Sequence, residues 1–208
     1  MKFDSEIISF KSKRNKVFLR GGIVEKHFAS EKCALIESET LERLRVAGVR
    51  VPEICIKGAT VLKMRYIPGK TLPDLIEHLE NCRVASEPGE LAGKLIGWLE
   101  TFYSAVNTER TGEIRGDVNG RNFIFDDLDC WGVDFEETVY GAREQDIGRI
   151  AAFVLTYDPP GTELKYNLAD TIMRKAEQIL GIDMEEACRQ RDMELEAISL
   201  RRATPGAS

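Results

Sequence analysis

"IRGDVNGRNFIF" (Ile114–Phe125), followed shortly by "WGVDFEE" (Trp131–Glu137), decides how this chain is read. The first stretch sets Asp117 and Asn122 ahead of a short apolar run. The second puts Asp134 between Val133 and Phe135, inside what reads as a strand. Asp and Asn are ordinary turn residues. A carboxylate within an apolar strand is costly unless it is paired or binds a metal. Phosphoryl transfer asks for this combination: positioning and charge neutralisation, usually with Mg²⁺, and little covalent chemistry from the protein. Magnesium prefers hard oxygen ligands, and Asn122 and Asp134 offer two. Asp117, on the same loop, is placed to take a proton from an attacking hydroxyl, a contribution typically worth roughly 10²–10⁴-fold in rate.

The rest of the chain is compatible with one large domain or two small lobes: 208 residues with 43% apolar composition, enough for a sizeable core. A net charge of −6 argues against broad nucleic-acid binding, which needs clustered Lys and Arg. Five scattered cysteines without a CxxC pair suit reduced thiols in a cytoplasm better than a disulfide framework. Two histidines make a zinc site a poor fit. No segment reads as a signal peptide, and none approaches the roughly 18 apolar residues of a membrane span.

Upstream of residue 68 the pattern is strand-rich. "EIISF" (6–10), "KVFLR" (16–20) and "GIVEKHF" (22–28) predict an antiparallel meander. A helix then begins at Ser30 as N-cap and stops at Gly48, with Leu35, Leu41 and Leu44 able to share a side. "EICIKG" and "TVLKMRYI" return to strand character, and "PGK" (68–70) makes a turn. Beyond it the apolar spacing is helical: 71–81, then 87–106 with Leu91, Leu95, Trp98, Leu99 and Phe102 in phase. After the opening stretch, residues 143–203 predict three helices broken by "YDPPG" and "LGID". The expected fold class is α+β. A small antiparallel-sheet N-terminal lobe (1–67) is followed by a mainly helical C-terminal lobe (68–208).

In this order the motifs resemble the protein-kinase-like superfamily, whose catalytic loop has the same Asp-x₄-Asn spacing followed by Asp-Phe. The Gly-Asp form, and Glu after Asp-Phe, look like aminoglycoside and choline phosphotransferases. The compact length resembles minimal atypical kinases of the KEOPS, RIO and lipopolysaccharide-core types. The resemblance implies a bilobal kinase fold that binds ATP and Mg²⁺ and moves the γ-phosphate to an acceptor hydroxyl. Lys26 would be the ATP-phosphate lysine, and Glu39 its helix partner, with Glu37 and Glu42 competing for the same pairing. Met64 would be the gatekeeper, and the Arg65–Ile67 backbone would meet adenine. Asp117 would be the base, Asn122 and Asp134 the metal ligands, and Asp146 the buried helix acid beneath the catalytic loop.

Several features depart from the family. No G-x-G-x-x-G loop occurs; Lys13, Arg14 or Lys16 of "FKSKRNKVFLRGG" stand where phosphates would be covered. Arg115 replaces the usual His. Asp134 and Asp146 lie too close for a long activation loop, and no Ala-Pro-Glu follows. A small-molecule acceptor is expected. The alternatives are an atypical Ser/Thr protein kinase, a complex-bound ATPase, or a pseudokinase that only binds partners.

Overall fold

The computed structural model describes residues 7–10, 12, 14–82, 88–106, 111–136 and 139–203. Strands β1 (Ile8–Phe10), β2 (Lys16–Arg20) and β3 (Ile23–His27) form the expected meander. Helix α1 (Glu31–Val46) follows, then β4 (Ile54–Lys57) and β5 (Val61–Arg65). The strands make one antiparallel sheet in the order β1-β2-β3-β5-β4. Inserting β5 between β3 and β4 places Lys26 opposite Leu62 and Val24 opposite Met64, so the lysine sits at the middle of the sheet.

The cap of α1 is the one its sequence predicts. The Ser30 hydroxyl accepts the Cys33 N–H at 3.3 Å, and the chain turns out of the helix at Gly48, whose N–H reaches Arg45 O. Leu41 and Leu44 are buried while Leu35 is half exposed. The inward face therefore runs through Ala34, Glu37, Ser38, Leu41 and Leu44 rather than through Leu35. A glutamate on that face has no solvent to turn to, and its partner must come from the sheet.

The remainder of the described chain holds β6 (Lys70–Thr71), α2 (Leu72–Cys82), α3 (Pro88–Ala105), β7 (Thr111–Ile114), β8 (Phe123–Phe125), β9 (Cys130–Gly132), β10 (Val139–Ala142), α4 (Arg143–Thr156), α5 (Glu163–Leu180) and α6 (Met184–Ala203). Trp98 of α3 anchors the core between them. Its ring stacks on Phe102 at 5.5 Å and meets Phe123 edge-on at 5.5 Å, while its indole N–H donates to Arg50 O at 2.9 Å. That last bond ties the segment after α1 to the helical half. One continuous apolar cluster runs from Phe28 and Leu62 to Ile172 and Ala187. We propose residue 67/68 as the lobe boundary, supported by the sheet's ending at Arg65 and the next element's starting at Lys70.

Two small sheets frame the central loops: β6-β8-β9, and β7 paired with β10. Sequence reading finds β8 and β9 but misses β7 and β10. "TGEI" and "VYGA" are short and carry glycine, so neither has a strand-like alternation. Their pairing sets Ile114 opposite Val139 and brings the two motif loops together.

Candidate active site

Four elements deliver the side chains. β7 runs into Arg115–Gly116–Asp117, a single 3₁₀ turn (Gly120–Asn122) carries Asn122, the end of β9 leads to Asp134, and β3 contributes Lys26. The loop after β7 is shaped by Gly116, which has φ 69°. A Cβ there would stand 2.5 Å from a Val139 methyl, so both backbone conformation and space require glycine.

Beneath the loop lies Asp146, fully buried on α4. Its carboxylate accepts the Arg115 N–H at 2.7 Å, the Gly116 N–H at 2.9 Å and the Tyr103 hydroxyl at 2.9 Å. Burial pushes the Asp146 carboxyl above its ordinary range, and these three donors oppose the shift. Above it Asp117 is exposed. Its Oδ1 accepts the Asn119 N–H at 3.2 Å, and its carbonyl accepts Asn122 Nδ2 at 3.3 Å. That bond fixes the Asn122 amide with its nitrogen toward the Asp117 backbone.

Asp134 is not within a strand, contrary to the sequence reading. β9 stops at Gly132, and Asp134 lies in the irregular segment beyond it with φ 68°, among the described residues the one non-glycine with positive φ. Asp is one of the few residue types that tolerate this conformation. Its Oδ1 bonds Lys26 Nζ at 2.6 Å. Burial raises the Asp134 carboxyl, but Lys26 and then Arg115 outweigh it and hold the group below its ordinary range.

The helix partner of Lys26 is Glu37, not Glu39. Lys26 Nζ meets Glu37 Oε2 at 2.6 Å, and both side chains are nearly inaccessible. Glu39 is exposed. The physical reason is register: Glu37 falls between Ala34 and Leu41 on the inward face of α1, and two residues further on a helix turns by about 200° toward solvent. A third carboxylate, Glu136, meets the same Nζ at 2.8 Å. Glu136 also accepts a hydrogen bond from the Asn15 side chain, in the turn before β2. One lysine thus faces Glu37, Asp134 and Glu136 together. Burial works against the Lys26 charge, but Glu37 and Asp134 overcome it and hold its ammonium above the usual lysine range. A single cation cannot neutralise three anions, and burial pushes the Glu37 carboxyl up to about 7, against the pull of Lys26 and with Asp134 adding to the rise.

The remaining expected residues lie where β5 ends. Met64 is buried, Arg65 points outward to Glu53 at 3.0 Å, the Tyr66 N–H reaches Gly22 O at 3.0 Å, and Ile67 is buried. Arg14 is exposed, Lys16 is exposed at the start of β2, and Lys13 lies outside the described residues. Sequence reasoning did not assign Asn15 and Glu136. The signal for Glu136 was its place directly after Asp-Phe; Asn15 had none, since only the tertiary structure brings it to Glu136.

No family model matches this chain, and no curated protein matches its sequence. Solved structures do match its fold. The gentamicin–APH(2")-IIa complex aligns with a TM-score of 0.65 and 15% identity over 91% of this chain and 81% of that one. The amicoumacin kinase hAmiN in complex with AMP-PNP, Ca²⁺ and Ami aligns at 0.60 with 13% identity, over 97% and 82%. A choline/ethanolamine kinase family protein from Mesorhizobium loti aligns at 0.51 with 14% identity, over 98% and 90%. The fold is therefore protein-kinase-like, with an antiparallel-sheet N-terminal region and a helical C-terminal region. No described helix is long and apolar enough to cross a membrane.

Proposed function

We propose that this chain is an ATP- and Mg²⁺-dependent phosphotransferase acting on the hydroxyl of a small molecule. The observation that carries the proposal is the convergence of Lys26, Glu37, Asp134, Asn122 and Asp117 from five separate elements onto one site. Chance turn residues do not meet in this way. The donor set suits magnesium: the amide oxygen of Asn122 and the carboxylate of Asp134 are hard ligands. Bound there, the ion would neutralise charge on the transferring phosphoryl group.

The chain's own residues supply the rest. Lys26, steadied by Glu37, would pair with the nucleotide phosphates, which requires it to release Glu136. Asp117 would orient the acceptor hydroxyl and take its proton. The acceptor oxygen bonds to the γ-phosphorus as the bond to the β–γ bridging oxygen breaks, and ADP leaves. Met64 and the Arg65–Ile67 backbone would border adenine. A small-molecule acceptor is supported by neighbours that are an amicoumacin kinase, a choline/ethanolamine kinase family protein and a gentamicin-bound protein. A cytoplasmic setting is supported by four described cysteines that are all free thiols.

The test is ADP production across aminoglycosides, choline and other amino alcohols, beside an autophosphorylation assay that would reveal a protein kinase instead. Asp117→Ala and Asp134→Asn should each lower turnover at least about 10²-fold while the melting temperature stays within a few degrees. Wild-type turnover in both variants would overturn the assignment. A second reading, a nucleotide-independent scaffold, is favoured by the three carboxylates already on Lys26. It predicts no thermal shift at millimolar ATP and Mg²⁺, whereas a ligand of the native state must stabilise it.

A further inference from the structure

Arg115 stands where the family places a histidine, and its surroundings are unusual for an arginine. It is 3% exposed. One of its two terminal nitrogens, Nη2, donates to two successive carbonyls, Val133 O at 2.5 Å and Asp134 O at 2.7 Å. Its guanidinium carbon lies 4.3 Å from the centre of the Phe135 ring. Its Nε is buried without a partner, so the side chain is placed to serve the two carbonyls at the expense of its own polar atoms. The other end of the residue is fixed as well, because the Arg115 N–H is held by Asp146.

The two carbonyls flank the one described non-glycine residue whose backbone is left-handed. Such a conformation is sparsely populated and persists only where the surroundings impose it. We propose that Arg115 is a positioning residue that clamps the Val133–Asp134 backbone, fixing the direction in which the Asp134 carboxylate meets a divalent cation. The inference rests on the phosphotransferase reading of the site. The clamp needs two hydrogens on one planar nitrogen. An imidazole offers one N–H in that direction, and a lysine loses the flat face that lies on Phe135. Histidine, the residue the family uses at this place, should therefore fail here.

The test is Mn²⁺ binding to the full chain in the presence of saturating ADP, followed by electron paramagnetic resonance of the free ion, in wild type, Arg115→His and Arg115→Lys. Both variants should weaken Mn²⁺ affinity roughly ten- to hundredfold, with metal-free ADP affinity changed less than about twofold, the noise of such a comparison. Amide exchange at Phe135 and Glu136 should accelerate in both. Unchanged Mn²⁺ affinity in a folded variant overturns the proposal. So does an equal loss of ADP binding without metal, because that is general disruption. If neither variant folds, Arg115 is a scaffold residue and the proposal falls. A wild type that binds ADP but no Mn²⁺ sinks the clamp alone, and one that binds neither sinks the phosphotransferase reading with it.

Discussion

Replacing Asp146 with alanine should unfasten the loop from the helix beneath it. The wild-type carboxylate is fully buried and accepts from the Tyr103 hydroxyl and from the Arg115 and Gly116 N–H groups. Asp146→Ala leaves all three donors facing a methyl group. A buried donor without a partner costs about 1–3 kcal/mol, so the gross penalty is roughly 3–9 kcal/mol. Two effects offset part of it. The buried charge no longer has to be kept from water, and alanine is the better helix former by about 0.5 kcal/mol. The expected net loss is about 3–5 kcal/mol, the range found when one member of a buried charged pair is removed. Urea unfolding followed through Trp98 and Trp131 fluorescence measures it. Tyr103→Phe supplies the internal control: it should cost about 1 kcal/mol alone and almost nothing in the Asp146→Ala background, because its partner is already gone. A loss below about 1 kcal/mol for Asp146→Ala, or additive costs in the double variant, would refute the network as the support of the loop.

The remaining expectations concern the lysine cluster and the packing under the 3₁₀ turn. Glu37→Ala should raise the KM for nucleotide more than about tenfold, the scale of losing a buried charge partner, whereas Glu39→Ala should leave steady-state kinetics unchanged, since Glu39 is exposed. The Glu37 carboxyl, ordinarily near 4.5, is pushed up to about 7 in the folded protein, so between these values the native state holds more protons than the unfolded chain. Stability of the nucleotide-free protein should therefore fall as pH rises through that window. Glu37→Gln should flatten the trend in urea melts from pH 4.5 to pH 7.5, set to bracket the window. A Cβ added at Gly120 would meet the Phe153 ring at 2.3 Å. Gly120→Ala should accordingly cost about 1–3 kcal/mol by overpacking, read from its urea midpoint, and lower turnover by shifting Asn122.

Much of this molecule is legible one residue at a time. Strand runs, the Ser30 cap, the Gly48 stop and the phase of Leu91, Leu95, Trp98, Leu99 and Phe102 depend on local propensity and on periods of two or 3.6 residues. The spacing of Asp117, Asn122 and Asp134 is likewise a local pattern, so the resemblance to kinases follows from the sequence. What sequence reading lacks is direction in space. Glu37, Glu39 and Glu42 are chemically alike, and only the seating of α1 on the sheet puts Glu37 rather than Glu39 against Lys26. Glu136 and Asn15 meet although they are 121 positions apart, and no local rule couples such distant residues. Asp134 takes a left-handed turn instead of extending β9, and the carbonyls on either side of it are held by Arg115, which lies 19 positions away. The sequence determines which groups this protein has for chemistry. Which of them face one another is settled by tertiary packing, because a buried charge must find a partner wherever the fold brings one.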